Sequence, residues 1–321
     1  MSATNFNLNI IGGLKMNVKD IKKIDIHAHA TPFREYFPPH WKNKPEGVMV
    51  SAETLIEMHD SLGIEKGIIL PISSPEGQPS VMSSEACKYL VDKNPSRFDW
   101  FCNVDPRANM DKANCDLTFL LRHYKSLGAK GVGEITAHID ADDPKMLNLF
   151  AACEECDMPV LIHIAYHREW GYGIYDDLGL PRIEAVLKKF PGLKLIGHSQ
   201  AFWSELSGDV TLETRGKYGE STVVPGGRVV ELMQKYPNIY CDLSAGSGHH
   251  AMMRDEAFFA WFVEKFSDRI MYGCDICHPD NTHPFIFRDF LYRMIEEGKL
   301  REETYVKIVR ENAIRILKLE V

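Results

Sequence analysis

Eight short apolar runs, most of them separated by segments of helical period, constrain this chain more than any other feature of its sequence. The runs are KIDIHAH (23–29), KGIILPI (66–72), FDWFCNV (98–104), AKGVGEI (129–135), PVLIHI (159–164), LKLIGHS (193–199), IYCDLS (239–244) and IMYGCD (270–275). Among the segments between them are SAETLIEMHDSLG (51–63), SVMSSEACKYLVDKNP (80–95), DLTFLLRHYKSLG (116–128), PKMLNLFAACEECD (144–157), LPRIEAVLKKFPG (180–192) and GGRVVELMQKYPN (226–238). Several end at Gly, Asn-Pro or Phe-Pro, where helices stop. Strands alternating with helices pair in parallel under a helical cover. Eight strands that are apolar almost throughout predict an α/β fold, a closed (β/α)8 TIM barrel. An open doubly wound sheet carries a Gly-rich phosphate loop after its first strand, and here that position holds two histidines.

The chain has 321 residues, 45% of them hydrophobic, enough for one large core. With no repeat and no interdomain linker, residues 21–321 read as a single barrel domain and residues 1–20 as an N-terminal arm. The net charge of -8, without a Lys/Arg cluster, supplies no field for a phosphate backbone, so the expected partner is a small molecule and not nucleic acid. No run approaches the ~18–20 apolar residues of a membrane span, and the first residues lack the charged start and apolar stretch of a secretory signal. A cytoplasmic setting is expected, with the eight cysteines reduced. The C-x-x-C pairs Cys153/Cys156 and Cys274/Cys277 read as packing residues. The long connections 30–50, 165–180 and 200–225 all follow strands, at the barrel face where active sites are built.

Ionisable residues cluster at the ends of these runs. His27 and His29 end the first, Glu134 the fourth, His163 the fifth, His198 the sixth and Asp275 the eighth. In a closed barrel those ends converge on one rim, and imidazole and carboxylate are ligands that Zn²⁺ or Mn²⁺ accepts. His27 and His29, two apart on a strand, face the same way. Asp25 shares their parity one step deeper and reads as a partner of the ligands. An isolated His-x-His pair is weak evidence for metal. Its coincidence with polar residues at four other strand ends is not, because polar groups on an apolar rim are costly unless paired or metal-bound.

The motifs DIHAH, GVGEI, PVLIHI, LIGHSQAFWSEL, YGCDICH and ENAIRILKL together resemble the amidohydrolase superfamily, in particular its amidohydrolase-related branch, which contains decarboxylases of unsaturated and aromatic acids. The resemblance spans residues 22–319. It implies metal ligation by His27, His29, His163 and Asp275, with His198 touching substrate or the reactive water. Glu134 resembles the glutamate that bridges two metals in binuclear members of the superfamily. The expected cofactor is one divalent ion, Zn²⁺ ahead of Mn²⁺, or two if Glu134 bridges, in which case His198 becomes a ligand. Lys130 lies too early in its strand to act as a carbamylated bridge. Homodimers are common among such relatives.

The chemistry expected is hydrolysis of a small carboxylate-bearing or cyclic substrate, a lactone, amide or ester, by a metal-activated water. Asp275 is the candidate base and His198 the candidate polariser of the carbonyl. The same atoms would serve nonoxidative decarboxylation of an unsaturated or aromatic acid, and a silent metabolite-binding barrel is the third reading. Candidate substrate contacts are Arg168, Trp203 and His249, with His250 beside it in AGSGHH. Trp170, Tyr172 and Phe202 are further wall candidates, and one of His278 and His283 is a candidate for the pocket.

Overall fold

Each of the eight predicted strands is present in the computed structural model, which describes residues 17–33, 49–77 and 82–321. They are β1 (Lys23–Ala28), β2 (Ile64–Ile69), β3 (Phe98–Trp100), β4 (Val132–Ile135), β5 (Val160–Ala165), β6 (Leu195–His198), β7 (Ile239–Asp242) and β8 (Ile270–Met271). A two-residue strand, Ile174–Tyr175, adds to β5 at its C-terminal end. Most of the predicted arm and of the 30–50 connection lie outside the described residues.

All pairings are parallel, in one sheet ordered β1-β2-β3 and another ordered β4-β5-β6-β7-β8. Isolated parallel bridges join the two sheets at both seams, Cys102 with Val132 and Ala28 with Ile276. Backbone hydrogen bonds reinforce the seams: Gly133 N–H to Cys102 O at 2.9 Å, Asp275 N–H to His27 O at 2.7 Å and His29 N–H to Ile276 O at 3.0 Å. The ring is a (β/α)8 barrel, and its last strand lies against its first.

Two apolar layers hold it. Ile24, Ile26, Ile68, Leu70, Phe101, Leu161, Ile196 and Met271 form one cluster, which Ala313, Ile316 and Leu317 of the helix Asn312–Leu317 join from the end where the strands begin. Asn312 anchors that plug by donating to Ser267 O (2.6 Å) and Ile270 O (2.8 Å). A larger layer packs the strands against the surrounding helices. Local signals set the helix limits: Ser51 accepts from Thr54 N–H to start Ala52–Leu62, and Gly63, at φ 72°, ends it. Among the described residues no helix is long and apolar enough to cross a membrane.

Candidate metal centre

The barrel rim gathers the six strand-end residues into one cluster. His27 Nε2 and His29 Nε2 stand 3.0 Å apart, with Glu134 Oε2 at 3.6 and 3.4 Å from them and Asp275 Oδ1 at 3.6 and 3.5 Å. Glu134 turns its other oxygen to the second pair of imidazoles. Oε1 lies 2.6 Å from His163 Nδ1 and 3.7 Å from His198 Nε2, and Asp275 Oδ2 is 3.9 Å from His198 Nε2. Three overlapping groups (His27, His29, Glu134; His27, His198, Asp275; Glu134, His163, His198) each bring their ligand atoms within 4.8 Å of one another.

Backbone and neighbouring side chains hold these rings. His163 and His198 are register partners across β5 and β6. Ser199, at φ 107°, clips the same two strands by donating to Ile164 O (2.8 Å) and accepting from Ile164 N–H (3.1 Å). Asn103, just after β3, donates to Glu134 O (2.5 Å) and Pro71 O (3.1 Å), tying three strand ends together. Asp275 sits in the left-handed region at φ 54°, a conformation that costs a non-glycine residue energy and recurs at functional sites.

The tautomers follow from the outer hydrogen bonds. His29 Nδ1–H donates to Leu70 O (2.9 Å), so Nε2 is left with its lone pair toward the cluster. His27 Nδ1–H donates to Asp242 Oδ2 (2.7 Å), and His198 Nδ1 lies 3.0 Å from the same oxygen. The Ser244 hydroxyl donates to Asp242 Oδ2 (2.7 Å) and lies 3.2 Å from His27 Nδ1 and 3.0 Å from His198 Nδ1. Gly273 makes room: a Cβ there would stand 2.5 Å from Asp242 Oδ1. Neither Asp242 nor Ser244 figures in the sequence reading, although Asp242 ends its strand as Asp275 ends the neighbouring run.

The residues fit a cation on their own chemistry. Two imidazole lone pairs facing each other at 3.0 Å repel unless a proton or metal lies between them. Metal–nitrogen bonds of about 2.0–2.1 Å place two such nitrogens roughly 3 Å apart. Among the described residues no lysine or arginine pairs with Glu134, Asp242 or Asp275; their only cationic neighbours are the imidazoles. Charge within the cluster is correspondingly uneven. Burial works against a charged His27, but the Asp275 and Asp242 carboxylates override it and raise its pKa well above the ordinary value. Burial opposes ionisation of Glu134, yet the contacts with His163, His27 and His29 hold it well below the usual carboxylate range. At His163 burial wins over Glu134 and the pKa falls.

Asp25 departs from its expected place. Pairing with β2 shifts register between Asp25 and Ala28, and this breaks the alternation that put Asp25 on the side of the histidine rings. Its Oδ2 instead meets His59 Nε2 of the helix Ala52–Leu62 (3.0 Å), while Oδ1 accepts from the backbone N–H of His27 (3.0 Å) and Cys274 (2.8 Å). Asp25 supports the site through the main chain, and the carboxylate at His27 Nδ1 is that of Asp242.

The loop residues divide. Trp203 is buried with its indole Nε1 unpartnered, on the wall of a cavity between the segment after β6 and the helix Ala245–Met253. Tyr172 lays its ring 4.4 Å from that of His163, and Trp170 stacks on His167. Phe202 is buried beneath Gly197. Arg168 is not drawn into the cluster: its guanidinium pairs with Asp140 (3.0 Å) and lies 4.7 Å over the Tyr175 ring. His249 is wholly buried, with Nε2 on Gly273 O (3.1 Å), Nδ1 against His283 Nδ1 (3.1 Å) and its ring on Phe287. Burial and His283 depress its pKa to about 3, and neither nitrogen is free for a substrate. His250, its neighbour, is the histidine that reaches the cavity. All eight cysteines are free, and seven are buried.

A family model described as Amidohydrolase matches residues 117–319, which include Glu134, His163, His198 and Asp275. The chain belongs to the amidohydrolase family. His27 and His29 lie outside the matched segment, so it is the fold that brings them to the family's strand ends. No curated protein matches the chain. Among solved structures, this amidohydrolase is similar to one from Burkholderia multivorans with bound zinc (14% identity, 94% of this chain and 100% of that one, TM-score 0.60). It is also similar to a probable 2-pyrone-4,6-dicarboxylic acid hydrolase from Acinetobacter baumannii with citric acid bound (13%, 93% and 100%, 0.55). A third is 5-carboxyvanillate decarboxylase from Sphingomonas paucimobilis (16%, 93% and 99%, 0.56). At such identities the likeness is one of fold.

Proposed function

We propose that this amidohydrolase is a metal-dependent hydrolase of a small carboxylate-bearing or cyclic substrate, and that its centre takes two divalent ions. The carrying observation is the division of Glu134, whose two oxygens each face a different pair of imidazoles. His27 and His29 with Glu134 Oε2 and Asp275 Oδ1 would hold one ion; His163 and His198 with Glu134 Oε1 would hold the other. Once bound, the ions supply Lewis acidity, which makes water a nucleophile at neutral pH. Zinc is the metal we favour for this nitrogen-rich set, with manganese second.

The protein's own groups do the rest. Asp275 is the cluster's accessible carboxylate, with 24% of its side chain exposed against 4% for Glu134 and none for Asp242. Its Oδ2 takes the proton of the attacking water and returns it to the leaving group. Asp242 and Ser244 hold His27 and His198 with Nε2 turned inward, so His198 acts as a ligand and not as a free acid. Tyr172 covers the outer side of His163. Nonoxidative decarboxylation of an aromatic or unsaturated acid is the second reading, favoured by the decarboxylase among the similar folds.

Elemental analysis of protein expressed with ample metal tests the centre: about two equivalents of transition metal are expected in wild type and a clear loss in His27→Ala. Wild type without stoichiometric metal overturns the proposal. Lactones, amides and aromatic acids, assayed in parallel for acid and CO₂ release, decide the reaction. CO₂ evolution without hydrolysis of any ester, lactone or amide establishes the second reading in place of the first.

A further inference from the structure

A cavity of about 400 Å³ opens between the segment after β6 and the helix Ala245–Met253 after β7. Gln200, Trp203 and Tyr218 line it from one side, and Ser247, His250 and Arg254 from the other. None of the six cluster residues lines it, but both segments that do line it start at the cluster. Gln200 follows His198 by two residues, and Ser244, hydrogen-bonded to His198, immediately precedes the helix. Burial first, and the Asp275 charge second, push the Tyr218 phenol upward, so that ring lies within electrostatic reach of the cluster.

Arg254, like Trp203, brings an unsatisfied polar atom to this cavity, and it alone of the two carries a charge. Its Nε is buried without a partner, and no carboxylate lies in salt-bridge range of its guanidinium among the described residues. The two acids whose charges reach it are held elsewhere. Asp209 accepts from the Ser207 hydroxyl (2.5 Å), and Asp255 from the backbone N–H of Phe258 and Val223, both at 3.0 Å. The surroundings are shaped to admit the guanidinium. At Gly219 a Cβ would collide with Arg254 Nη1, and His250 Nε2 pins the same glycine by its carbonyl (2.7 Å). A guanidinium kept from its neighbours' carboxylates and facing a cavity is a fork for an incoming oxyanion. Asp209 and Glu220 also line the space, so a singly charged carboxylate suits it better than a dianionic phosphate.

We infer that the cavity seats the substrate's carboxylate and that Arg254 receives it, presenting the rest of the molecule to the His–carboxylate cluster. This rests on the cluster being the reaction centre, and it makes the substrate a small acid whose carboxylate lies remote from the bond that reacts.

Calorimetric titration of chelator-stripped protein with benzoate, isophthalate and glutarate, and with their amides, tests the assignment without any turnover. Wild type is expected to bind at least one acid and to bind its amide at least fivefold more weakly. Arg254→Gln is expected to lose at least fivefold in affinity for that acid, and Arg254→Lys, which keeps the charge but not the fork, to recover part of the loss. Thermal unfolding and metal content should match wild type in both variants; if the glutamine variant fails to fold, the lysine variant must still bind the acid more weakly than wild type. Wild type that binds none of the acids, or a folded Arg254→Gln that loses less than fivefold, overturns the inference. Stoichiometric metal and turnover report on the cluster separately, so a failure of one reading is not mistaken for a failure of the other.

Discussion

Asp242 is the residue on which both halves of the proposed centre depend. One of its oxygens lies within hydrogen-bonding distance of Nδ1 of His27, Nδ1 of His198 and the Ser244 hydroxyl, so one group sets the tautomer of two of the cluster's imidazoles. Burial opposes its ionisation, but the charges and hydrogen bonds of His27 and His198 keep it well below the usual carboxylate range. Asp242→Asn keeps the volume but replaces an oxygen that accepts three donors with an amide that must donate as well. Partners of this kind orient metal-ligating imidazoles, and their loss typically costs 10–100-fold in metal affinity. Competition with a chromophoric chelator should show a loss of that size for Asp242→Asn, with the far-ultraviolet spectrum unchanged. Metal affinity within threefold of wild type would remove Asp242 from this role.

Among the elements, β5 and β6 are clipped together beyond their paired residues by a single hydroxyl. Ser199 bonds to both the N–H and the C=O of Ile164, and its side chain also caps the short helix Gln200–Ser204. Ser199→Ala leaves both buried backbone groups without that partner, which should cost about 1–3 kcal/mol in denaturant unfolding. The eight strands were legible because parallel strands buried on both faces are apolar nearly throughout, and against that background a histidine or acid at a strand end stands out. The register shift in β1 was not legible: side-chain alternation is a local property, while the irregular pairing with β2 that moves Asp25 toward His59 is a tertiary one. In the same way, nothing in the run HH at 249–250 says which ring a helix turns inward. The structure buries His249 against Phe287 and leaves His250 at the cavity. Arg168, chosen for its place after β5, found its carboxylate in Asp140 of the same protein. The arginine proposed to meet substrate, Arg254, lies at the end of a helix that the apolar pattern did not single out.

For the molecule as a whole, the buried histidines give the metal-free protein a stability that peaks near neutral pH. Burial depresses the pKa of His163, His249 and His283 in the fold, so the unfolded chain takes up their protons first; stability falls as pH drops below the unfolded value of ~6.5. For His249 that loss continues down to about 3. His27 acts in the opposite sense, because its folded pKa is raised. Its contribution is complete below ~6.5 and is lost as pH rises through the higher folded value. Scanning calorimetry of chelator-stripped protein should therefore show the melting temperature declining on both sides of neutrality. His27→Gln should flatten the alkaline limb alone; an alkaline limb as steep as in wild type would refute the assignment. The seam between β8 and β1 adds a constraint in time. Asp275 donates its N–H to His27 and Ile276 bridges Ala28, so the earliest strand to leave the ribosome is closed by the latest. Throughout synthesis His27 and His29 wait without Glu134, His163, His198 and Asp275, and a nascent chain cannot assemble the cluster until nearly all of the barrel has been translated. On the proposed ligand set, metal loading would report a closed barrel, and a chain without β8 would lack the strand that seals His27 and His29 into the ring.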